Sequence, residues 1–235
     1  MVGHPNHVPK AIAAGVDIIC AQAGEGGGHT GDTPATILIP ACVDLCKGHK
    51  SPLTGQPIYV VGAGAVYDGR SLAANLMWGA QGVWVGTRFV ASTEASAPKA
   101  HKDAILSAGY EDAIRTVIYT GRPLRVRRTP YVEDWSVNTL VGRIDTFIDH
   151  LGCREINRQT EIKELTSQGV VPHDRELEKH PEKSLEGRSW LLGRVSALIH
   201  DVLPAQQIVD NMVNEAAEVL RLGDSLVQTK ASAKL

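Results

Sequence analysis

Residues 57–89 read PIYVVGAGAVYDGRSLAANLMWGAQGVWVGTRF. The apolar run from Pro57 to Val61 feeds directly into Gly62-Ala63-Gly64. Gly69 to Gly79, GRSLAANLMWG, has the spacing of a helix. Gly82 to Phe89 is a second apolar run that again meets small residues, Gly86 and Thr87. Short apolar runs bounded by glycine suit strands buried in a parallel sheet, because such strands are covered on both faces. A strand, a helix and a strand in succession make one βα unit. The same rhythm continues upstream. Lys10 to Gly15, KAIAAG, ends a short helix at glycine; Val16 to Gln22 is an apolar strand; Thr36 to Cys46 has apolar residues at helical spacing. Repeated units of this length predict an α/β fold with a parallel sheet, either doubly wound or a (β/α)8 barrel.

Downstream the rhythm is lost. Residues 136–235 are more charged, and their clearest pattern is Pro204 to Leu222, with apolar residues at Ile208, Val209, Met212, Val213, Ala216, Val219 and Leu220. That is one face of an amphipathic helix. The sequence therefore divides into a βα part, 1–135, and a helical extension, 136–235, packed against it.

The bulk properties exclude several classes. The 235 residues are 43% hydrophobic and 21% charged with a net charge of -2, so the chain reads as soluble and globular. There is no block of basic residues for nucleic acid or an anionic membrane. No apolar run reaches the ~18–20 residues that cross a bilayer, and MVGHPNHVPK lacks the pattern of a secretory signal. Cys20, Cys42, Cys46 and Cys153 fit no zinc spacing, and Cys20 sits in an apolar run as a reduced core thiol does. Cys42 and Cys46 are four residues apart on one helix with no second pair, so no metal site is expected. A reducing, cytoplasmic location follows.

The chemistry concentrates where strands end. The first strand delivers Gln22-Ala23-Gly24-Glu25-Gly26-Gly27-Gly28-His29-Thr30-Gly31, with five glycines in residues 24–31. Such a loop lets backbone N–H groups approach a phosphate or a flat ring. His29 and Glu25 are its only titratable groups. A surface loop and a satisfied structural histidine are the bland readings. Against them, strand carboxyl ends are where sites form in parallel α/β folds. A histidine there suits a general base or an electrostatic partner for an anion. Gly62, Gly64 and Gly86 would add bare amides, and Thr87 a hydroxyl. The other histidines lack such a setting. Arg122, Arg125, Arg127 and Arg128 read as a solvated basic face.

In three segments the sequence resembles the nitronate monooxygenase family: AGVDIICAQAGEGGGHTGD (14–32), PIYVVGAGAVYDGRSLAANLMWGAQGVWVGTRFVASTEA (57–95) and, more loosely, TPYVEDW (129–135). The Gln-x-x-Glu-x-Gly-Gly-His-x-Gly spacing and the Gly-Thr-Arg-Phe ending carry the likeness together, and the tail resembles the fungal type. The resemblance implies a (β/α)8 TIM barrel that binds FMN. By it, Gln22 contacts the flavin ring, Gly27, Gly28, Gly62, Gly64, Gly86 and Thr87 form the cofactor loops, and His29 is catalytic. The implied reaction takes an alkyl nitronate or nitroalkane and O2 to a carbonyl compound and nitrite.

Two departures from the family accompany it. The chain matches only the last four βα units of the barrel, Met1-Val2-Gly3 standing for the end of the first of them. A half barrel has open sheet edges, which implies a homo-oligomer or another partner chain. Residues 139–156, TLVGRIDTFIDHLGCREI, interrupt the family-like run in the way that an unspliced intron or a gene-model artefact does. Two other readings stand beside the monooxygenase: an FMN-dependent enoyl-thioester reductase, which shares the barrel, and an inactive truncated paralogue.

Overall fold

The computed structural model describes residues 1–136 and 152–227. The expected βα rhythm is present. After α1 (Val8–Ala13), strands β1 (Ile18–Gln22), β3 (Tyr59–Ala63) and β4 (Gly82–Trp84) pair in parallel, in that order. The crossovers are α2 (Ala35–Cys46) and α3 (Gly69–Met77). The register sets Cys20 beside Val61 and Val61 beside Gly82. Val2 adds a one-residue parallel bridge to Ala21 at the other edge.

Alternation along the strands decides what is buried. Ile19, Ala21 and Val60 point to α1 and α2 and form a core with Val8, Leu38, Ile39 and Cys42. Residues of opposite parity, Ile18, Tyr59 and Trp84, are 55%, 47% and 61% exposed. The sheet is thus covered on one face over these positions, whereas the run of apolar residues predicted cover on both. Burial pushes the Cys42 thiol up to about 11, with Cys46 adding to the shift, so this pair behaves as apolar filling.

The third predicted strand is shorter than its apolar run. Only Gly82–Trp84 pairs, and Thr87–Val90 turns into a short helix, α4. Gly86 and Thr87 therefore stand at a strand-to-helix turn. Downstream come α5 (Lys99–Leu106), β5 (Ala113–Thr116), β6 (Leu124–Arg127) and α6 (Pro130–Ser136). A second sheet, antiparallel, joins β6 to β5 on one side and to β2 (Gly28–His29) on the other. β2 lies inside the glycine-rich loop, whose composition predicted no strand.

The tail contains α7 (Gly152–Ser167), α8 (Pro172–Lys179) and α9 (Ala205–Ser225). Residues 137–151, which hold most of the interrupting stretch 139–156, lie outside the described residues. Between α8 and α9 the chain forms no α-helix; residues 188–200 cross back over the βα part as a strap with a 3-10 turn at Arg194–Leu198.

On α9 the buried stripe is Ile208, Met212 and Ala216, while Val209 and Val213 stay exposed. The stripe is narrower than the sequence pattern because α9 packs chiefly on α3. The contact is backbone to backbone at Gly69: a Cβ there would lie 2.5 Å from Ala216 N and 2.6 Å from Met212 O. Glu215 accepts the Gly69 N–H at 2.7 Å, next to the capping box in which Asp68 and Ser71 bond each other's amides. Gly69→Ala would force the helices apart. The expected cost is about 1–3 kcal/mol, measured as a lower urea midpoint at unchanged m-value.

α8 docks on α6 and the β5–β6 turn through His173, whose Nδ1 lies 2.8 Å from Tyr131 Oη and whose ring is tilted against Tyr119 with centroids 4.8 Å apart. Burial holds the His173 imidazole below its ordinary pKa, opposed by Asp174. The unfolded chain takes up a proton near pH ~6.5 while the folded chain resists it. This contribution is full above that pH and is lost as pH falls through the depressed value. The melting temperature is expected to drop between pH 7.5 and pH 5, and to drop less in His173→Gln.

Candidate functional site

The loops after β1, β3 and β4 converge with the strap on one cavity of about 340 Å³. Its lining includes Gln22, Gly27, Gly28, His29, Gly64, Gly86 and Thr87, which the sequence singled out from separate strands. Gly62 is not among the lining residues. A Cβ on Gly62 would overlap the Asn75 side chain of α3 and press on Ile39, so glycine is needed there for helix-on-strand packing.

The glycine-rich loop is held from several sides. Ala23 N–H donates to Ala63 O at 2.8 Å, which ties the start of the loop to the end of β3, and Thr30 Oγ1 donates to Ala23 O at 2.7 Å. Glu25, which also lines the cavity, accepts the Ala35 amide at the start of α2 at 3.2 Å. Gly28 has φ +73°, and its Cα faces the Leu191 side chain. Gly64 has φ +77° and is followed by Ala65 at φ +57°, a left-handed alanine lining the cavity. Non-glycine residues in that region cost about 1 kcal/mol or more and cluster at functional sites.

The strap is the part the sequence did not disclose. Gly193 N–H donates to Thr87 Oγ1 at 2.9 Å, and Arg194 N–H donates to Glu25 O at 2.9 Å. A Cβ on Gly27 would lie 2.6 Å from Leu192 C, so Gly27 lets the strap pass. His101 donates to Leu191 O at 2.7 Å and Arg127 N–H to Trp190 O at 2.8 Å, which fixes Leu191 over the cavity. In the sequence the only trace is the apolar Trp190-Leu191-Leu192 ahead of Gly193, which has no period of its own.

Arg125 is also different from its predicted place. It is 6% exposed, not on a solvated face. Leu124, Arg125 and Val126 are all buried, because β6 is covered on both faces. The guanidinium donates twice to Gly24 O, at 2.7 and 3.2 Å, and once to Ala113 O at 2.6 Å. Burial, then the Arg194 and Arg115 cations, pull its pKa down, with Glu25 and Asp32 opposing. The glycine-rich loop thus rests on a buried cation.

His29 is set by the pairing of β2 with β6, which puts it opposite Leu124. Its Nε2 lies 3.0 Å from Thr120 Oγ1. The amides of Thr87 and Arg88 precede the first bonds of α4, which run from Phe89 and Val90 to Gly86 O, so they have no partner within that helix. A Cβ on Gly86 would meet nothing within 4 Å. The site therefore offers backbone donors, a hydroxyl, an imidazole and an open glycine surface around one space.

Parallel βα units with a cavity at the carboxyl ends of their strands place the chain among the α/β proteins of the TIM-barrel-like kind. FabK from Thermotoga maritima superposes with a TM-score of 0.70 at 25% identity, over 96% of this chain and 62% of that one. The chain belongs to the nitronate monooxygenase family, an oxidoreductase family whose profile matches residues 2–215. Nitronate monooxygenase npaC of Metarhizium robertsii is 36% identical over 169 residues, 70% of this chain and 43% of that protein. The (3aS,4S,5R,7aS)-5-hydroxy-7a-methyl-1-oxo-octahydro-1H-indene-4-carboxyl-CoA dehydrogenase of Mycobacterium tuberculosis is 30% identical over 244 residues, 97% of this chain and 67% of that protein. The chain thus spans between two fifths and two thirds of the length of these relatives.

Proposed function

We propose that the chain carries the FMN-phosphate and catalytic-histidine part of a nitronate monooxygenase, built as the last four βα units of a (β/α)8 barrel. The observation that supports this best is the meeting of His29 with Gly27, Gly28, Gly64, Gly86 and Thr87 around one cavity. The residues present fit the phosphate end of the cofactor. Thr87 accepts from Gly193 and so keeps its own O–H to donate, the Thr87 and Arg88 amides are free of helix bonds, and the bare Gly86 surface leaves room. Gln22, which lines the cavity with its amide packed on Gly26, is the residue that would contact the flavin ring.

When bound, the flavin supplies the redox chemistry between an alkyl nitronate and O2 that yields a carbonyl compound and nitrite. The protein's own work is placement and proton handling. Arg125 holds the loop, Leu191 and the strap limit water above it, and His29 takes the α-proton of a neutral nitroalkane or pairs with the nitronate anion. We place the protein in the cytoplasm, acting on small molecules as a homo-oligomer.

The test is expression of the chain, gel filtration and a visible spectrum, followed by nitrite release from a nitronate. Flavin co-eluting with protein and nitrite formation support the proposal; a colourless, inactive, folded chain defeats it and favours the inactive paralogue. The likeness to FabK and to a CoA-thioester dehydrogenase supports a second reading, an enoyl-thioester reductase. Consumption of reduced nicotinamide with an enoyl thioester, without nitrite from nitronates, would select it.

A further inference from the structure

We infer that Thr120 is the positioning residue for His29: its hydroxyl fixes the imidazole as the Nε2–H tautomer and leaves Nδ1 as the nitrogen that accepts the substrate proton. The inference rests on the proposed role of His29 as base. The β2–β6 register brings the ring beside the turn that precedes β6, closed by the Gly121 N–H donating to Val117 O at 2.8 Å. Gly121 has φ +68°, so the turn is built on a residue suited to it.

Thr120 Oγ1 has three neighbours. It lies 3.2 Å from Arg122 O, 3.3 Å from Arg122 N and 3.0 Å from His29 Nε2. A hydroxyl has one proton and two lone pairs. The Arg122 carbonyl only accepts and its amide only donates, so the hydroxyl proton goes to the carbonyl and one lone pair takes the amide. The second lone pair remains for Nε2, which must then carry a proton. The reverse donation, from Thr120 to Nε2, would take the proton out of the Thr120–Arg122 contact that closes this turn. In a neutral imidazole with Nε2 protonated, Nδ1 holds the lone pair. Among the described residues Nδ1 has no hydrogen-bond partner, and His29 lines the cavity.

The proton transfer this permits is balanced. The nitroalkane α-C–H bond breaks, its electron pair stays on the substrate as nitronate, and a new N–H bond forms at Nδ1. The resulting imidazolium keeps its Nε2–H bond to Thr120. Nothing in this step requires an oxidant. The assignment also separates the two substrate forms, since a preformed nitronate has no α-proton to lose to Nδ1.

The experiment is nitrogen NMR of histidine-labelled protein, with His29→Gln to assign the resonance, on the native chain, Thr120→Val and Thr120→Ser. Expected are a pyrrole-like Nε2 and a pyridine-like Nδ1 in the native chain, averaged nitrogens in Thr120→Val, and the native pattern restored in Thr120→Ser. Turnover of a neutral nitroalkane should fall about tenfold more than turnover of the matching nitronate in Thr120→Val, and recover in Thr120→Ser. A native ring protonated at Nδ1, a tautomer indifferent to Thr120→Val, or an equal fall on both substrates overturns the inference. A tautomer that follows Thr120 in a chain that turns over neither substrate upholds the positioning role and defeats the monooxygenase reading instead.

Discussion

Replacing His29 with alanine is expected to lower turnover of a neutral nitroalkane by about 10²–10⁴-fold, the usual worth of a general base. Bound flavin should be retained. The two effects separate because the backbone donors come from Gly86, Thr87 and Arg88 on another βα unit, whereas the imidazole comes from β2. His29 makes its side-chain bond to Thr120 at the rim, and its neighbour Leu124 holds the strand through backbone pairing. Truncation at Cβ therefore leaves the loop anchored by Arg125, Thr30 and Glu25. With a preformed nitronate the loss should be smaller, since only the charge partner is removed. Steady-state rates on both substrate forms, with the flavin spectrum of the same sample, measure this. Unchanged nitroalkane turnover with flavin still bound would remove His29 from the chemistry.

Arg125→Met is expected to cost about 3–5 kcal/mol of stability and to release the cofactor. The guanidinium satisfies Gly24 O and Ala113 O by three bonds inside the protein. Hydrogen bonds from a charged group are worth about 1.5–3 kcal/mol each, and a carbonyl left buried without a partner costs about 1–3 kcal/mol. Burial of a cation also carries a penalty, which methionine avoids, so the net figure is below the sum of those bonds. Arg125→Lys should not rescue, because a single ammonium cannot span two carbonyls held by a fork of fixed geometry. Arg128 is the control: it is exposed, donates to Glu111 O and faces Glu133, and Arg128→Met should stay within about 0.5 kcal/mol. Urea midpoints and flavin release on dilution read the two effects. If Arg125→Met loses cofactor but no stability, the residue acts on the ligand and not through the loop.

Much of the site was legible where a residue type has one physical use. Glycines directly after a buried strand announce a close approach, and His29 among them has no packing role to explain it. That logic, with the family resemblance for Gln22, found seven lining residues from three separate strand ends. It failed at Gly62, where the same residue type serves the packing of α3, because a glycine in sequence does not say which neighbour comes close. It failed at Arg125 because a run of arginines on alternating strand positions looks solvated until both faces of the strand are covered. Thr120 had no signal at all; it matters only through a register between two strands about ninety residues apart.

The sequence by itself determined the parallel βα units, their order along the chain and the residues at the strand ends. Hydrophobic period and glycine punctuation are local properties, fixed within ten or so residues. The tertiary structure alone decided that β2 forms, that the strap crosses between Thr87 and Gly27, that Arg125 lies beneath Gly24 and that Thr120 meets His29. Each of these joins segments far apart in the chain through a few hydrogen bonds or a close approach. Such contacts are set by how the layers stack, and the one-dimensional pattern does not carry that information.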